Sequence, residues 1–241
     1  MTDTAAPSQG PEIDKSRIIR DAATILLVRR DRGKAPSVLM GMRGAGAAFM
    51  PSKYVFPGGA VDPGDASIPL ARPLSPVCAA RLESGTTPGV AHGLAAAAVR
   101  ELWEETGLIL GAPGQWPGAV PADWAGFAAR GYLPSATALN FVFRAITPQG
   151  RPRRFDARFF LADAAQVQGD PDDFSQACDE LSHLHWVPIA EARQLNLPFI
   201  TEVVLAEVSA LLGDGSAAPA HPESVPFFDN RHAPSAFRRI Q

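Results

Sequence analysis

Residues 93–106, GLAAAAVRELWEET, read as the clearest helix of the chain, with Gly107 behind it at the position where a left-handed cap usually stands. Ala95, Ala98, Val99, Leu102 and Trp103 fill one side and call for a core to lie against. Glu101, Glu104 and Glu105 stand at i, i+3 and i+4, so they share one arc of roughly 100° on the other side. A helix of this kind demands a flanking layer and something beside its acidic face.

That acidic face carries an electrostatic cost. The like-charged pair Glu101–Glu105 disfavours the helix by roughly a few tenths of a kcal/mol. The three acids also sit in the C-terminal half, where the helix dipole disfavours negative charge. A divalent cation would relieve both. Hard ions such as Mg²⁺ take oxygen ligands, a few carboxylates together with substrate phosphates. Arg100, four residues before Glu104, is within reach of an ion pair that holds a carboxylate in place. Taken alone, a merely solvated acidic face accounts for the same pattern.

Around this helix the chain alternates between element types. Residues 1–16 are small, polar and interrupted by proline, and read as a disordered tail. The apolar runs 22–30 and 37–43 read as paired strands across the turn DRGKAP, and YVFPGG (54–59) as a third extended run stopped by Pro57-Gly58-Gly59. Residues 62–92 lack periodicity and are rich in Pro, Gly and Ser; they read as a long loop, a length that is uncommon unless functional or mobile. Residues 121–132 suggest a short helix, 138–148 and 153–163 two strands joined at Gln149-Gly150, 184–195 a strand running into a short helix, and 200–212 a helix. From Gly213 the chain is a Pro/Ala-rich tail, 213–241, in which SVPFF (224–228) is apolar enough to dock on the rest. No regular βαβ alternation appears, so the expected class is α/β with a mixed sheet flanked by helices.

Composition narrows the functional classes. Among 241 residues, 46% are hydrophobic and 20% charged, which suits one substantial core. A net charge of -3 speaks against a nucleic-acid binder, which normally shows a basic stripe. No apolar run approaches the ~20 residues of a membrane span, and the polar, acidic N-terminus is unlike a signal peptide. Two cysteines, Cys78 and Cys178, make no disulfide framework or metal motif, which suits a reducing cytosol. The expectation is a cytoplasmic protein with no nucleic-acid or membrane partner.

The residues ahead of the helix add a motif. Gly59, five residues, Asp65, then after an insertion Arg100-Glu101-Leu102-x-Glu104-Glu105-x-Gly107-Leu108 resemble the signature of the Nudix hydrolases, Gly-x5-Glu-x7-Arg-Glu-U-x-Glu-Glu-x-Gly-U, where U is bulky and apolar. The second half matches at every defined position, and the FPGG lead-in is similar to the family's. Asp65 stands where the signature has Glu, and 34 residues (66–99) separate it from Arg100 where the signature has seven. A box split in this way resembles the branch that includes the eukaryotic coenzyme A diphosphatases. The stretches FMPSKYVFPGGAVDPGD, RRFDARFF and LPFIT are similar to that branch as well.

The resemblance implies a Nudix-type α/β/α sandwich over residues 17–212, with residues 66–92 inserted within the box. It implies metal-dependent hydrolysis of a diphosphate linkage in a nucleoside diphosphate derivative, with coenzyme A or acyl-coenzyme A first. ADP-ribose, NADH and sugar nucleotides, or a non-catalytic nucleotide-binding module, are the alternatives. Mg²⁺ or Mn²⁺ would be held by Glu104 and Glu105, with the Gly58 carbonyl as a further ligand and Asp65 acting through water. Glu101 would be a ligand or help activate water, and Arg100 would orient the carboxylates. A later loop often adds an acid; Asp173, Asp179 and Glu180 are the candidates and Glu180 is favoured, because it closely precedes a strand. Arg43 would bind substrate. Arg154 or Arg158 would contact a substrate phosphate, or pair with Asp156, which shares a strand face with Arg158. The partner would be a small-molecule diphosphate, with a homodimer as a further expectation. Insertion 66–92 is expected to leave the glycine turn beside the glutamate helix and to project at the rim as an irregular excursion, not a new core element.

Overall fold

The computed structural model describes residues 18–31, 33–47, 50–213 and 218–241; the expected N-terminal tail, residues 1–16, lies outside them. At its centre is β1 (Ile19–Arg29). The strand reads as a nearly continuous apolar run because both of its faces are covered: Ile25 and Leu27 enter one core, Leu26 and Val28 the other. On one edge β1 runs parallel to β8 (Arg154–Asp163), from Ile19↔Arg154 to Val28↔Asp163. On the other edge it meets β2 (Ser37–Arg43) only at Val28↔Val38 and Arg29↔Ser37. Further along that edge, Ala22–Thr24 pair with β4 (Gly58–Ala60).

β2 continues between β3 (Tyr54–Val55) and β9 (Leu181–Pro188). Beyond β8 lie β7 (Asn140–Ile146), antiparallel across the turn at Gln149-Gly150, then β10 (Val225–Asp229), parallel to β7, and the edge strand β11 (Ala236–Ile240). The sheet is therefore mixed. A separate two-stranded ribbon pairs β5 (Gly111–Pro113) with β6 (Tyr132–Pro134).

Helices cover both faces, giving an α/β/α sandwich. α2 (Val90–Thr106) lies on the Ile25/Leu27 face, together with α1 (Pro76–Glu83); α4 (Phe199–Leu212) covers the Leu26/Val28 face through Val204, Leu205 and Val208. α3 (Ala125–Ala129) follows a 3-10 turn, and Trp124 and Phe127 there stack edge to face near Trp103 of α2. Among the described residues, no helix is long and apolar enough to cross a membrane.

The insertion departs from the expected irregular excursion. After a 3-10 turn at Pro63–Ser67 it forms α1, capped by the Ser75 hydroxyl, which accepts from the Cys78 amide at 3.2 Å. Ile68, Leu74, Cys78 and Leu82 are buried in the same core as α2. Its far side is tied to the chain beyond α4: Arg81 donates to the carbonyls of Pro222 and Glu223 at 2.7 and 2.6 Å, and Ser75 Oγ lies 2.8 Å from His221 Nε2. The segment is a buried layer of the sandwich, because four apolar side chains in its proline-punctuated run find a common core.

Candidate active site

The glycine turn and the glutamate helix meet. Gly58 sits in β4 against β1, so close that a Cβ there would lie 2.6 Å from the Ala23 carbonyl oxygen and 2.7 Å from Thr24 Cα. Its amide donates to Glu105 Oε2 at 2.7 Å. A Cβ on Gly59 would lie 2.4–2.6 Å from the Glu101 carboxylate atoms. Two adjacent glycines thus allow two carboxylates of α2 to pack directly on backbone.

Arg100 organises the acids around it. Nε and Nη2 donate to the two oxygens of Asp65, each at 3.0 Å, and Nη2 also reaches the Ala60 carbonyl at 3.0 Å. Nη1 donates to Glu101 at 2.9 Å and to Glu104 at 3.1 Å. These five contacts match the five N–H donors of a guanidinium. Asp65 accepts in addition from the Asp62 amide at 2.8 Å and is 2% exposed. With both oxygens engaged it braces Arg100, in place of the water-mediated ligation expected from the sequence; the 3-10 turn folds it back onto its own start.

The glutamates do not lie on a solvated face. Glu101 is 8% exposed, Glu105 1%, and Glu104 is half-buried. Burial raises the Glu101 carboxyl to about 7, against the pull of Arg100. Burial, and then the charge of Glu101, push Glu105 well above the usual carboxylate range; burial raises Glu104 as well. Glu105 Oε1 is buried without a hydrogen-bond partner. A buried anionic oxygen facing no donor is costly, and a cation supplies what it lacks. Among the described residues, no three Asp, Glu, His or Cys side chains converge as a finished cage, and Arg100 Nη1 donates to both Glu101 and Glu104. Mg²⁺ and ions like it retain waters and need only one or two carboxylates plus substrate phosphates, so the donors present fit such an ion.

The segment after β8 closes the other side. Cys178 donates its amide to the Glu104 carbonyl at 2.9 Å, which pins this loop to α2. Gln176 packs over Gly107, the left-handed C-cap (φ 76°) of the helix. Glu180 follows, and its charge acts on both Glu101 and Glu105. It is ion-paired at 2.6 Å with Arg43, the last residue of β2. Of the three acids considered from the sequence, Asp173 instead closes a local turn on the Ser175 amide, and Asp179 is exposed. Asp123 went unnoticed in the sequence: it stands on the 3-10 turn Ala122–Trp124, near enough for its charge to act on Glu104.

Arg154 and Arg158 stand elsewhere. Arg158 is 1% exposed and is held by Asp21 and by Asp156, the latter at 3.2 Å. Arg144 closes a two-pronged pair on Asp156 at 2.7 and 2.9 Å. Arg154 is buried and donates to the carbonyls of Thr147 and Asn230. Both are engaged inside the sheet layer, so the substrate contact considered for them gives way to the pairing with Asp156 and to backbone capping. A central strand buried on both faces hides its polar side as completely as its apolar one.

Likeness to known proteins follows the same lines. No family model matches the chain. The "Putative nudix hydrolase 7" of Caenorhabditis elegans is 30% identical over 179 residues, 70% of this chain and 51% of that protein, so the chain spans about half the length of this curated relative. Among solved structures, the NUDIX hydrolase from Alicyclobacillus acidocaldarius is 27% identical, with a TM-score of 0.60 over 84% of this chain and 98% of that one. The likeness extends far beyond the two halves of the split motif that the fold brings together at Gly58 and Glu105, and over most of its length the chain is similar to the Nudix hydrolases.

Proposed function

We propose that this protein hydrolyses a diphosphate linkage in a nucleoside diphosphate derivative, with Mg²⁺ or Mn²⁺, and that coenzyme A or acyl-coenzyme A is its substrate. The observation that carries the reaction class is the buried, unpartnered Oε1 of Glu105 beside the raised carboxyl of Glu101. Diphosphate hydrolysis requires that charge on the non-bridging oxygens be neutralised and that a water be held in line, and a divalent ion supplies both when bound. Glu105 and Glu101 are the side chains that would hold it, with Glu104 at the half-buried side and Arg100 keeping the acids in register.

Gly58 fixes Glu105 through its amide, and the close approach of Gly59 sets where the Glu101 carboxylate sits. Glu180, more than half exposed and ion-paired with Arg43, is the later-loop acid that we assign to this site. The coenzyme A assignment is supported by the split box and its flanking stretches.

The test is a panel of coenzyme A, acetyl-coenzyme A, ADP-ribose, NADH and a sugar nucleotide, with and without Mg²⁺ or Mn²⁺, read by mass spectrometry. Metal-dependent cleavage of coenzyme A or its thioester at the diphosphate is expected. Preference for ADP-ribose, NADH or the sugar nucleotide would overturn the substrate but not the chemistry. Silence across the panel with metal present would overturn the hydrolase reading and favour a binding module.

A further inference from the structure

The acid-paired arginines of this protein can be compared by how they use their side-on fork, the Nε–H and Nη2–H pair that matches two oxygens of one anion. Arg100, Arg144 and Arg231 close both prongs on Asp65, Asp156 and Asp229, whereas Arg158, 1% exposed within the sheet layer, leaves its Nε unpartnered where no ligand reaches it. Arg43 closes one. Its Nη2 donates to Glu180 at 2.6 Å, while its Nε is buried and has no hydrogen-bond partner. A buried N–H without an acceptor costs on the order of 1–3 kcal/mol. The pair thus holds an unused donor in place.

The backbone holds Arg43 still. Its amide donates to the Lys53 carbonyl at 2.9 Å, its carbonyl accepts from the Ser52 amide at 3.1 Å, and it pairs with Leu181 of β9. Glu180 is the less constrained partner: its side chain is 54% exposed, against 18% for Arg43. Between Met40 and Met42 the β2–β9 register shifts, and His183, three residues after Glu180, sits in the left-handed region at φ 53°. Gly41 faces this bulge, with Leu181 and Leu184 too close for a Cβ at 2.9 Å. A bulge of this kind re-aims the strand end and recurs beside active sites. Here it carries Glu180 to the guanidinium.

We propose that Arg43 and Glu180 form an exchangeable pair: a substrate diphosphate takes both prongs of Arg43, and the displaced Glu180 turns toward the cation held by Glu101 and Glu105. Arg43 then distinguishes a phosphate, which offers two oxygens to the fork, from the single carboxylate oxygen it holds otherwise. Substrate binding and completion of the acidic site are one event. This inference rests on the diphosphatase reading.

The test uses the full chain, Mn²⁺, and methylene diphosphonate as an uncleavable diphosphate, with binding measured by calorimetry. Without the diphosphonate, Glu180→Gln is expected to change Mn²⁺ affinity less than about twofold. With it, the same variant is expected to lose roughly tenfold or more, the scale of one charge-assisted contact. Arg43→Gln is expected to weaken diphosphonate binding by roughly tenfold or more. Arg43→Lys, which keeps the charge but not the fork, should not restore it. Equal loss of Mn²⁺ affinity by Glu180→Gln with and without diphosphonate would make Glu180 a permanent ligand and overturn the exchange. So would full diphosphonate affinity in Arg43→Lys. If the wild type cleaves a diphosphate in the panel while these binding results go the wrong way, the exchange fails and the hydrolase reading stands; if it cleaves none, both fail.

Discussion

Gly58 and Glu105 lie 47 positions apart in sequence, yet the amide of one donates to Oε2 of the other at 2.7 Å, leaving Oε1 of the same carboxylate buried and unpartnered. One oxygen is fixed by the turn and the other is left to a ligand. Glu105→Gln keeps the size of the side chain and removes its charge. Turnover on the cleaved diphosphate at saturating Mg²⁺ should fall by ~10²-fold or more, the scale seen when a group stabilising transition-state charge is lost. The fold should survive, because a buried carboxyl with no cation is a liability that the amide lessens. Turnover near that of the wild type would remove Glu105 from the cation site.

The two glycines of the turn make different demands and should fail differently. Gly59→Ala pushes its methyl against the end of the Glu101 side chain, which can move, so activity should drop roughly tenfold or more while the unfolding temperature changes little. Gly58→Ala pushes against the β1 backbone at Ala23 and Thr24, which cannot move cheaply, and should cost on the order of 1–3 kcal/mol of stability. Kinetics and thermal unfolding of the two variants together decide this. Equal thermal losses in both would mean that Glu101 is held as rigidly as a strand.

Burial of the acids also links stability to pH. Glu101 passes from an ordinary value of 4.5 to about 7 in the fold, so the native state binds its proton more tightly than the unfolded chain does. Its contribution is complete below pH ~4.5 and is lost as pH rises through 7; over that window it amounts to roughly 3 kcal/mol. Glu105 is raised in the same direction, by burial and by the charge of Glu101. In EDTA, calorimetry should therefore show a higher melting temperature at pH 5 than at pH 8. With Mg²⁺ the slope should flatten or reverse, since the ion binds the ionised carboxylates and stabilises the fold in proportion to its occupancy. An EDTA profile that rises from pH 5 to pH 8 would contradict the burial argument.

What the sequence made legible was what local pattern encodes. The β1–β2 and β7–β8 pairings, the α2 helix with its Gly107 cap and α4 follow from periodicity and turn residues within a few tens of positions. The carboxylate cluster followed from i, i+3, i+4 spacing, but its burial did not: a helix carrying the small side chains of Ala95, Ala96, Ala97 and Ala98 lies so close to its neighbours that Glu101 and Glu105 are enclosed too. Arg154 and Arg158 were ambiguous because alternation along a strand says which residues share a face, not whether that face is covered. The β10–β7 pairing is parallel and long-range, and nothing within SVPFF announces its partner. α1 did leave a local signal, Ser75 followed by Pro76 as cap and first turn, which its proline-rich surroundings obscured.

Burial of the insertion changes what shortening it would do. A surface lid could be trimmed at little cost, since loop closure depends only weakly on length. This segment instead contributes Ile68, Leu74, Cys78 and Leu82 to the core under α2, and through Arg81 it fastens the chain at Pro222 and Glu223. Replacing residues 67–90 by a tight linker would uncover that face of α2, the helix that carries Arg100 and all three glutamates. Loss of the folded protein is expected, not a selective rise in KM. Milder variants separate packing from fastening. Leu82→Ala, at a position 1% exposed, should cost roughly 2–5 kcal/mol by the cavity it leaves. Arg81→Met should lower stability by less, by removing the two donors that hold the later chain. Neither touches the acids, so folded protein should keep its turnover per molecule at temperatures well below melting. If the shortened chain instead folds and retains its melting temperature, the segment is an excursion after all and its packing beneath α2 contributes nothing to stability.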